Sequence, residues 1–242
     1  MRGWETGQVM NQLNAPATTA TLAAALWDFD GTLADTEPLW VAAEYELIGS
    51  LGFEWDDHHA EQLVGNALID SGAYILAVIG RHDLTPEWIV EQLVSRVVQA
   101  LGTQPIPWRP GALELLRSLG EAGVPCALVS ASYRVLLDAA LAQLPAGSFQ
   151  TSVAGDEVRQ GKPHPEPYET ACTQLGVSPR DCVVFEDSET GARSGNASGA
   201  FVIAVPNKVA ISSAPRRTHV SSLTELDVGR VTALLEQADA PV

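Results

Sequence analysis

Residues 26–36 read LWDFDGTLADT, and the organisation of the whole chain follows from them. The apolar run Ala23–Trp27 leads into this stretch and predicts a buried strand. Asp28 and Asp30 then alternate, so both carboxylates can point to the same side beyond the carboxyl end of that strand. Adjacent carboxylates repel each other unless a cation or a shared proton lies between them. The simplest solution is an oxygen-seeking cation such as Mg²⁺, and a metal site is therefore predicted here.

Two different patterns follow this stretch. Residues 37–104 are helical in character, and no convincing strand interrupts them. From residue 112 onwards helices alternate with short apolar strands, which indicates a parallel sheet with right-handed crossovers. These strands are predicted at Val124–Ser130, Thr151–Gly155, Asp181–Phe185 and Ala200–Val205.

The predicted domain organisation is an α/β core with an insertion. Residues 21–36 and 105–242 are expected to form the core, and residues 37–104 a helical cap inserted after the first strand. Open parallel sheets bind ligands at the carboxyl ends of their strands, so the cap should lie over that edge as a lid. Residues 1–20 are rich in Asn, Ala, Thr and Gln and are predicted to form a disordered tail.

Charge and composition exclude several functional classes. The 242 residues carry 30 acidic and 14 basic side chains, a formal charge of −16 that disfavours binding to nucleic acid. No apolar run is long enough to span a bilayer, and the first residues lack the order of a secretory signal. The three cysteines have no metal-binding spacing and are predicted to be buried thiols. We therefore expect a cytoplasmic protein without membrane partners, monomeric by default with a dimer left open.

Polar residues cluster after four of the strands or in the loops beyond them. Because the carboxyl ends of parallel strands share one edge of the sheet, the clusters are expected to converge. One of them contains Lys162, and the chain has only one other lysine, Lys208. The clusters are Asp28 with Asp30 and Thr32, Ser130-Ala131-Ser132, Gly161-Lys162-Pro163, and Glu186-Asp187-Ser188.

The order and residue types of these clusters resemble the four motifs of the haloacid dehalogenase superfamily. The strings GKPHPEPY, residues 161–168, and FEDSETG, residues 185–191, are similar to the branch with a helical cap after the first strand. That branch includes β-phosphoglucomutase and phosphoglycolate phosphatase. The resemblance extends over residues 22–226 and implies a Rossmann-like parallel sheet.

The resemblance also implies catalytic and metal-binding roles. Asp28 would be the nucleophile that forms an aspartyl-phosphate, since carboxylates form such intermediates. Asp30 would protonate the leaving alcohol and then activate water. Mg²⁺ would neutralise the phosphoryl oxygens. Its expected ligands are the carboxylates of Asp28 and Asp187, the backbone carbonyl of Asp30, and Glu186 in or near the shell.

A second set of residues would bind the phosphate group. Lys162 would contact the phosphate and keep Asp28 ionised. Ser130 would donate a hydrogen bond to a phosphate oxygen, helped by the backbone N–H of Ala131. Gly31 and Thr32 would offer backbone donors at the turn. Taken singly, such residues also occur in ordinary turns and helix caps, so Ser130 and the Glu186-Asp187 pair could have purely local roles.

The remaining residues discriminate among the chemistries of this branch. Hydrolytic dehalogenases lack the second aspartate, which is present here as Asp30. Phosphonatases need a cap lysine, and residues 37–104 contain none. In mutases an arginine of a cap loop grips a second phosphate, and the matching residue here is Leu68. Trp40 and Trp55 are the tryptophans that could face the pocket.

The predicted function is therefore an Mg²⁺-dependent phosphatase acting on a small phosphomonoester. A sugar or polyol phosphate is favoured over phosphoglycolate, whose extra carboxylate would need a cation such as Arg81 or Arg109. Two alternatives stay open: a phosphosugar mutase similar to β-phosphoglucomutase, and a non-catalytic protein that binds a phosphorylated ligand.

Overall fold

The computed structural model describes residues 22–63, 67–207 and 209–239, and the predicted tail lies outside them. Six strands form one sheet in the order β3-β2-β1-β4-β5-β6, and all neighbouring pairs are parallel. The strands are β1 (Ala24–Trp27), β2 (Cys126–Val129), β3 (Thr151–Val153), β4 (Cys182–Glu186), β5 (Phe201–Ala204) and β6 (Arg217–His219). The predicted α/β class with a Rossmann-like parallel sheet is confirmed.

The helices lie between successive strands and after the last one. Four of them, α1 to α4, come between β1 and α5, in the region predicted to be helical. The helices are α1 (Glu37–Ser50), α2 (Asp57–Glu61), α3 (Leu68–Ile79), α4 (Pro86–Thr103), α5 (Ala112–Glu121), α6 (Arg134–Leu141), α7 (Glu166–Leu175), α8 (Glu189–Ser198) and α9 (Val228–Asp239). In the ranges that the structure describes, no helix combines the length and the apolar character needed to cross a bilayer.

Strand β1 lies in the middle of the sheet and is completely buried. Its residues alternate between two cores, as the period of a strand requires. Ala25 and Trp27 pack in the core that contains α5, α6 and α9, whereas Ala24 and Leu26 pack against α7 and α8. Helices therefore cover both faces of the sheet, and the carboxyl end of β1 opens at its centre.

Strand β6 and helix α9 were not predicted from the sequence. Strand β6 is three residues long, half-buried and polar, so it has no apolar run to reveal it. It pairs with β5 at the edge of the sheet. Helix α9 packs against α5 through Val231 and Leu235.

Two chain segments lead into and out of the region of helices α1 to α4, and they are paired by hydrogen bonds. Asp35 donates its backbone N–H to the Pro107 carbonyl at 2.8 Å, and Arg109 donates to Leu33 at 2.9 Å. Gln143, just after α6, binds the same region, because its side chain accepts from the Ile106 N–H at 3.1 Å and donates to the Leu101 carbonyl. The outgoing and returning chains are thus held together next to the end of β1.

Gly111, at the start of α5, has φ +83°, and a Cβ there would lie 2.5 Å from the Thr224 nitrogen. We predict that Gly111→Ala lowers the free energy of unfolding by about 2 kcal/mol or more, because backbone strain and a clash combine. Gly120→Ala is the matched control within α5, where the added methyl meets open space. Gly120→Ala should raise the free energy of unfolding, measured in urea, by about 0.5–1 kcal/mol. Equal effects of the two variants would contradict the prediction.

Glu44, on α1, is buried and accepts a hydrogen bond from the Trp55 indole N–H at 3.1 Å. Burial raises the pKa of this carboxyl from 4.5 to about 7, and the Trp55 bond offsets part of the rise. The unfolded chain therefore releases this proton at lower pH than the folded protein does. Consequently Glu44 opposes folding more strongly as the pH rises through this window.

We predict that Glu44→Gln raises the free energy of unfolding at pH 8 by about 1–3 kcal/mol. The gain should be smaller at pH 5, where the wild-type carboxyl is largely protonated in the folded state. Glutamine keeps an acceptor for Trp55, so packing is preserved. Glu46→Gln, on the exposed side of α1, is the control and should change stability by less than about 0.5 kcal/mol at both pH values. Urea unfolding at both pH values measures the difference, and an equal gain at both would refute the interpretation.

Candidate active site

Lys162 lies at the point where three neighbouring strands end. Its Nζ is 2.7 Å from Asp28 Oδ1, beyond β1, and 2.6 Å from Glu186 Oε1, at the end of β4. It also donates to the Val129 carbonyl of β2 at 3.0 Å. Only 5% of the Lys162 side chain is exposed. One buried ammonium therefore joins the carboxyl ends of the three central strands.

Glu186 is fully buried and accepts hydrogen bonds at both carboxylate oxygens. Oε1 accepts from Lys162 and from the Tyr168 hydroxyl at 2.8 Å. Oε2 accepts from the Ser188 hydroxyl at 3.0 Å and from the Ser188 backbone N–H at 3.3 Å. A carboxylate has about four lone-pair sites, so these donors occupy its capacity.

Asp28, Glu186 and Asp187 form an acidic cluster in which one oxygen of each lies within 4.8 Å of the others. Burial, followed by the charge of Glu186, raises the pKa of Asp28 well above its usual value. The same two causes raise the pKa of Asp187 to about 7. Burial alone would lower the pKa of Lys162, but Asp28 and Glu186 outweigh it and raise that pKa.

These shifts reflect a local shortage of positive charge. Three carboxylates share one ammonium in a buried place, and such a group is stabilised by another cation. Carboxylate oxygens are the ligands that Mg²⁺ and other hard cations prefer. The donor set therefore fits a divalent metal ion.

The Asp30 carboxylate accepts four hydrogen bonds from two sides. Thr36 Oγ1 and the Trp40 indole donate to Oδ1 at 2.6 and 3.4 Å. Ser130 Oγ and Ser132 Oγ donate to Oδ2 at 3.1 and 2.7 Å. Residues from the turn after β1, from α1 and from the loop after β2 thus meet at one carboxylate.

The turn after Asp30 is shaped by its contact with Asp187. Gly31 has φ +87°, and a Cβ there would lie 2.0 Å from Asp187 Oδ2. Its backbone N–H donates to the Ala34 carbonyl at 2.7 Å, so this donor, expected for phosphate, is engaged within the turn. Thr32 is buried, and its hydroxyl donates to Asp187 Oδ1 at 3.2 Å.

The loop after β2 is held by its own hydrogen bonds. Ser130 Oγ accepts from the Ser132 backbone N–H at 2.9 Å, in addition to donating to Asp30. Ala131, between the two serines, is exposed. Gly155 packs against this residue so closely that a Cβ would lie 2.1 Å from the Ala131 carbonyl oxygen. This loop is fixed next to the acidic cluster.

Several contacts of the site were not assigned from the sequence. Ser132 and Thr36 lie inside the stretches that the motifs singled out, but neither had a predicted role. Tyr168 lies at the end of the quoted string 161–168, and its hydroxyl becomes informative only when the fold brings it to Glu186. Trp40 follows Thr36 by one helical turn, a spacing that could have linked both to Asp30.

Comparison with known proteins agrees with this geometry. The family model for haloacid dehalogenase-like hydrolase matches residues 25–205. Hexitol phosphatase B of Escherichia coli strain K12 is 31% identical over 223 residues, covering 87% of this chain and 96% of the relative. The bifunctional riboflavin kinase/FMN phosphatase of Arabidopsis thaliana is 31% identical over 202 residues, covering 82% of this chain but only 50% of that protein.

A solved structure supports the same assignment. CbbY from Rhodobacter sphaeroides, in complex with phosphate, superimposes with a TM-score of 0.74 at 28% identity, covering 85% of this chain and 96% of that one. The relatives named as phosphatases confirm the predicted enzyme class, a phosphoric monoester hydrolase. The extent of the match settles the family: this chain belongs to the haloacid dehalogenase-like hydrolases.

Proposed function

We propose that this protein is an Mg²⁺-dependent phosphatase that hydrolyses a small sugar or polyol phosphate through an aspartyl-phosphate. The observation that carries the proposal is the buried contact of Lys162 with Asp28, beside Glu186 and Asp187. The hexitol phosphatase named above supports the polyol class by its name. A phosphorylated small molecule is accordingly the expected partner.

The metal ion would be held by the carboxylates of Asp28 and Asp187 and by the backbone carbonyl of Asp30. Glu186 lies beside them, but its oxygens already accept hydrogen bonds from Lys162, Tyr168 and Ser188. When bound there, a divalent cation would neutralise phosphoryl oxygens that the acidic cluster otherwise repels.

The chain's own residues would carry out two displacements. In the first, the Asp28 carboxylate forms a bond to phosphorus, the ester P–O bond breaks, and Asp30 gives its proton to the leaving alcohol. In the second, water attacks the same phosphorus while Asp30 takes its proton, and the bond between phosphorus and the Asp28 oxygen breaks, which releases phosphate and restores the Asp28 carboxylate. Four donors fix the position of the Asp30 carboxyl, and one of them has to release its oxygen when Asp30 carries the proton.

Ser130, Ala131, Lys162 and Thr32 are proposed to surround the phosphate. Lys162 supplies the positive charge, and the backbone N–H of Ala131 supplies a donor at the end of β2. The Ser130 hydroxyl donates to Asp30 in this structure, so it would have to turn from Asp30 to reach a phosphate oxygen. For Gly31 we propose a spacing role instead, since its backbone N–H is engaged with Ala34. The absence of its side chain makes room for Asp187.

We propose that residues 37–104, with helices α1 to α4, act as a cap on the core formed by residues 21–36 and 105–242. The contact of Trp40 with Asp30 supports this, because it brings α1 to the site. Closure of such a cap would exclude bulk water and orient the leaving group. The paired crossing segments near Asp35 and Pro107 would be the hinges.

The charges of the cap favour hydrolysis over phosphoryl transfer to a second phosphorylated site. Arg81 forms hydrogen bonds to both Asp83 oxygens at 2.6 Å, and Arg96 contacts Gln92 and Glu46. The cap sequence contains no lysine. Both cap arginines are thus engaged with neighbours, which suits a substrate whose remainder is uncharged better than a bisphosphate.

We also propose that the enzyme is cytoplasmic and monomeric. The three cysteines are buried free thiols, the state typical of proteins in a reducing compartment. The net charge of −16 argues against a nucleic-acid partner.

The first test is phosphate release from a panel of sugar phosphates, polyol phosphates and phosphoglycolate, each with Mg²⁺ and with excess chelator. We expect release from a sugar or polyol phosphate with Mg²⁺ and only background release with chelator. Full activity in chelator would contradict the metal requirement. Interconversion of β-glucose 1-phosphate without release would favour a mutase, and ligand binding without turnover a non-catalytic protein.

The second test addresses the nucleophile. Asp28→Asn should abolish both phosphoenzyme formation and phosphate release, because an amide cannot form the acyl-phosphate. Asp138→Asn, an exposed position on α6, is the control and should keep both. Rapid acid quench with a radiolabelled substrate measures the phosphoenzyme, and sustained turnover by Asp28→Asn would rule out this assignment.

A further inference from the structure

Tyr168 is buried within the core and yet carries a polar contact to the site. It lies on α7, has no exposed surface, and its hydroxyl donates to Glu186 Oε1 at 2.8 Å. The proposed reaction gives it no role, because no step touches its hydroxyl. The nearby side chains of the same core are apolar, as in Ala171 and Val184.

Two features connect this phenol to Lys162. The hydroxyl and the ammonium donate to the same oxygen, Glu186 Oε1, at 2.8 and 2.6 Å. The Lys162 Nζ also lies 5.0 Å from the centroid of the Tyr168 ring, within the range of a cation–π contact. Tyr168 therefore contacts both partners of the buried ion pair.

The contact restricts how the Glu186 carboxylate can turn. Ser188 holds Oε2 through two donors, and Tyr168 is the second donor at Oε1. Without the phenol hydroxyl, Oε1 would be held by Lys162 alone. The carboxylate could then rotate and draw the ammonium away from Asp28, 2.7 Å away on its other side.

We propose that Tyr168 is a positioning residue, which holds Glu186 in the orientation that keeps Lys162 against the Asp28 nucleophile. The expected effect on kcat rests on the proposed function, whereas the expected effect on the Lys162–Asp28 distance rests on geometry alone. Partners of this kind around functional groups commonly change activity by about 10–100-fold when they are removed. A residue that only filled space would have no such effect when its ring is kept.

The test is Tyr168→Phe, which removes the hydroxyl and keeps the buried ring. We expect kcat to fall about tenfold, KM to stay within about twofold, and the melting temperature to fall by no more than about 4 °C. Tyr45→Phe is the matched control, since it removes an exposed hydroxyl that donates to Asp57 at 2.7 Å, and its kinetics should not change. A lower melting temperature with unchanged kcat would overturn the proposal in favour of packing alone.

A double-mutant cycle tests whether Tyr168 acts through Glu186. In a Glu186→Gln background, the further change Tyr168→Phe should alter kcat by less than about twofold, because the partner it orients is already changed. Independent, multiplicative losses would overturn the proposal.

A crystal structure of Tyr168→Phe supplies a readout that needs neither activity nor metal. We expect the Lys162 Nζ to lie more than 3.5 Å from Asp28 Oδ1 in at least one conformer, compared with 2.7 Å in the wild type. An unchanged contact would overturn the proposal. If the wild type releases no phosphate from any ester, the proposed function fails, and this structure alone then decides the role of Tyr168.

Discussion

One buried ammonium faces three carboxylates, and this excess of negative charge is the constraint on which the site depends. Lys162 contacts Asp28 and Glu186 directly, while Asp187 has a pKa near 7 because burial and Glu186 disfavour its charge. Three acids and one base in a dry environment are not stable as isolated charges. The same imbalance that costs stability favours a divalent cation, whose charge would be needed before a phosphate could approach the carboxylates.

The parallel sheet brings these charged side chains together. Strand β1 is central, and its neighbours β2 and β4 run parallel to it and end at the same edge. The residues that follow these three strands therefore lie close together. Lys162 contacts all three ends. Apolar packing on both faces of the sheet supplies the stability that offsets the buried charges.

Much of this arrangement could be read from local sequence. The apolar strands were predictable because each is a short buried run followed by polar residues, and four such clusters in order determined the family. Strand β6 was not, since a polar edge strand carries no periodic signal. Helix α9 was missed although Val231, Leu234 and Leu235 lie at helical spacing. Most partners of Asp30 and Glu186 could not be read either. Ser132 reaches Asp30 from the loop after β2, and Tyr168 reaches Glu186 from α7, so only the fold brings these residues together. Trp40 is the exception, because it follows Thr36 by one helical turn close to Asp30 in the chain.

Gly31 illustrates how tightly two distant parts of the chain are matched. Asp187 occupies the volume where a side chain at position 31 would begin, and the Thr32 hydroxyl binds the same carboxylate. In evolutionary terms, positions 31 and 187 are not free to vary independently. Any side chain gained at the turn would displace the acid. A library that randomises the turn after β1 or the loop after β4 therefore has to leave these two positions as they are, even though Gly31 contributes no side-chain chemistry of its own.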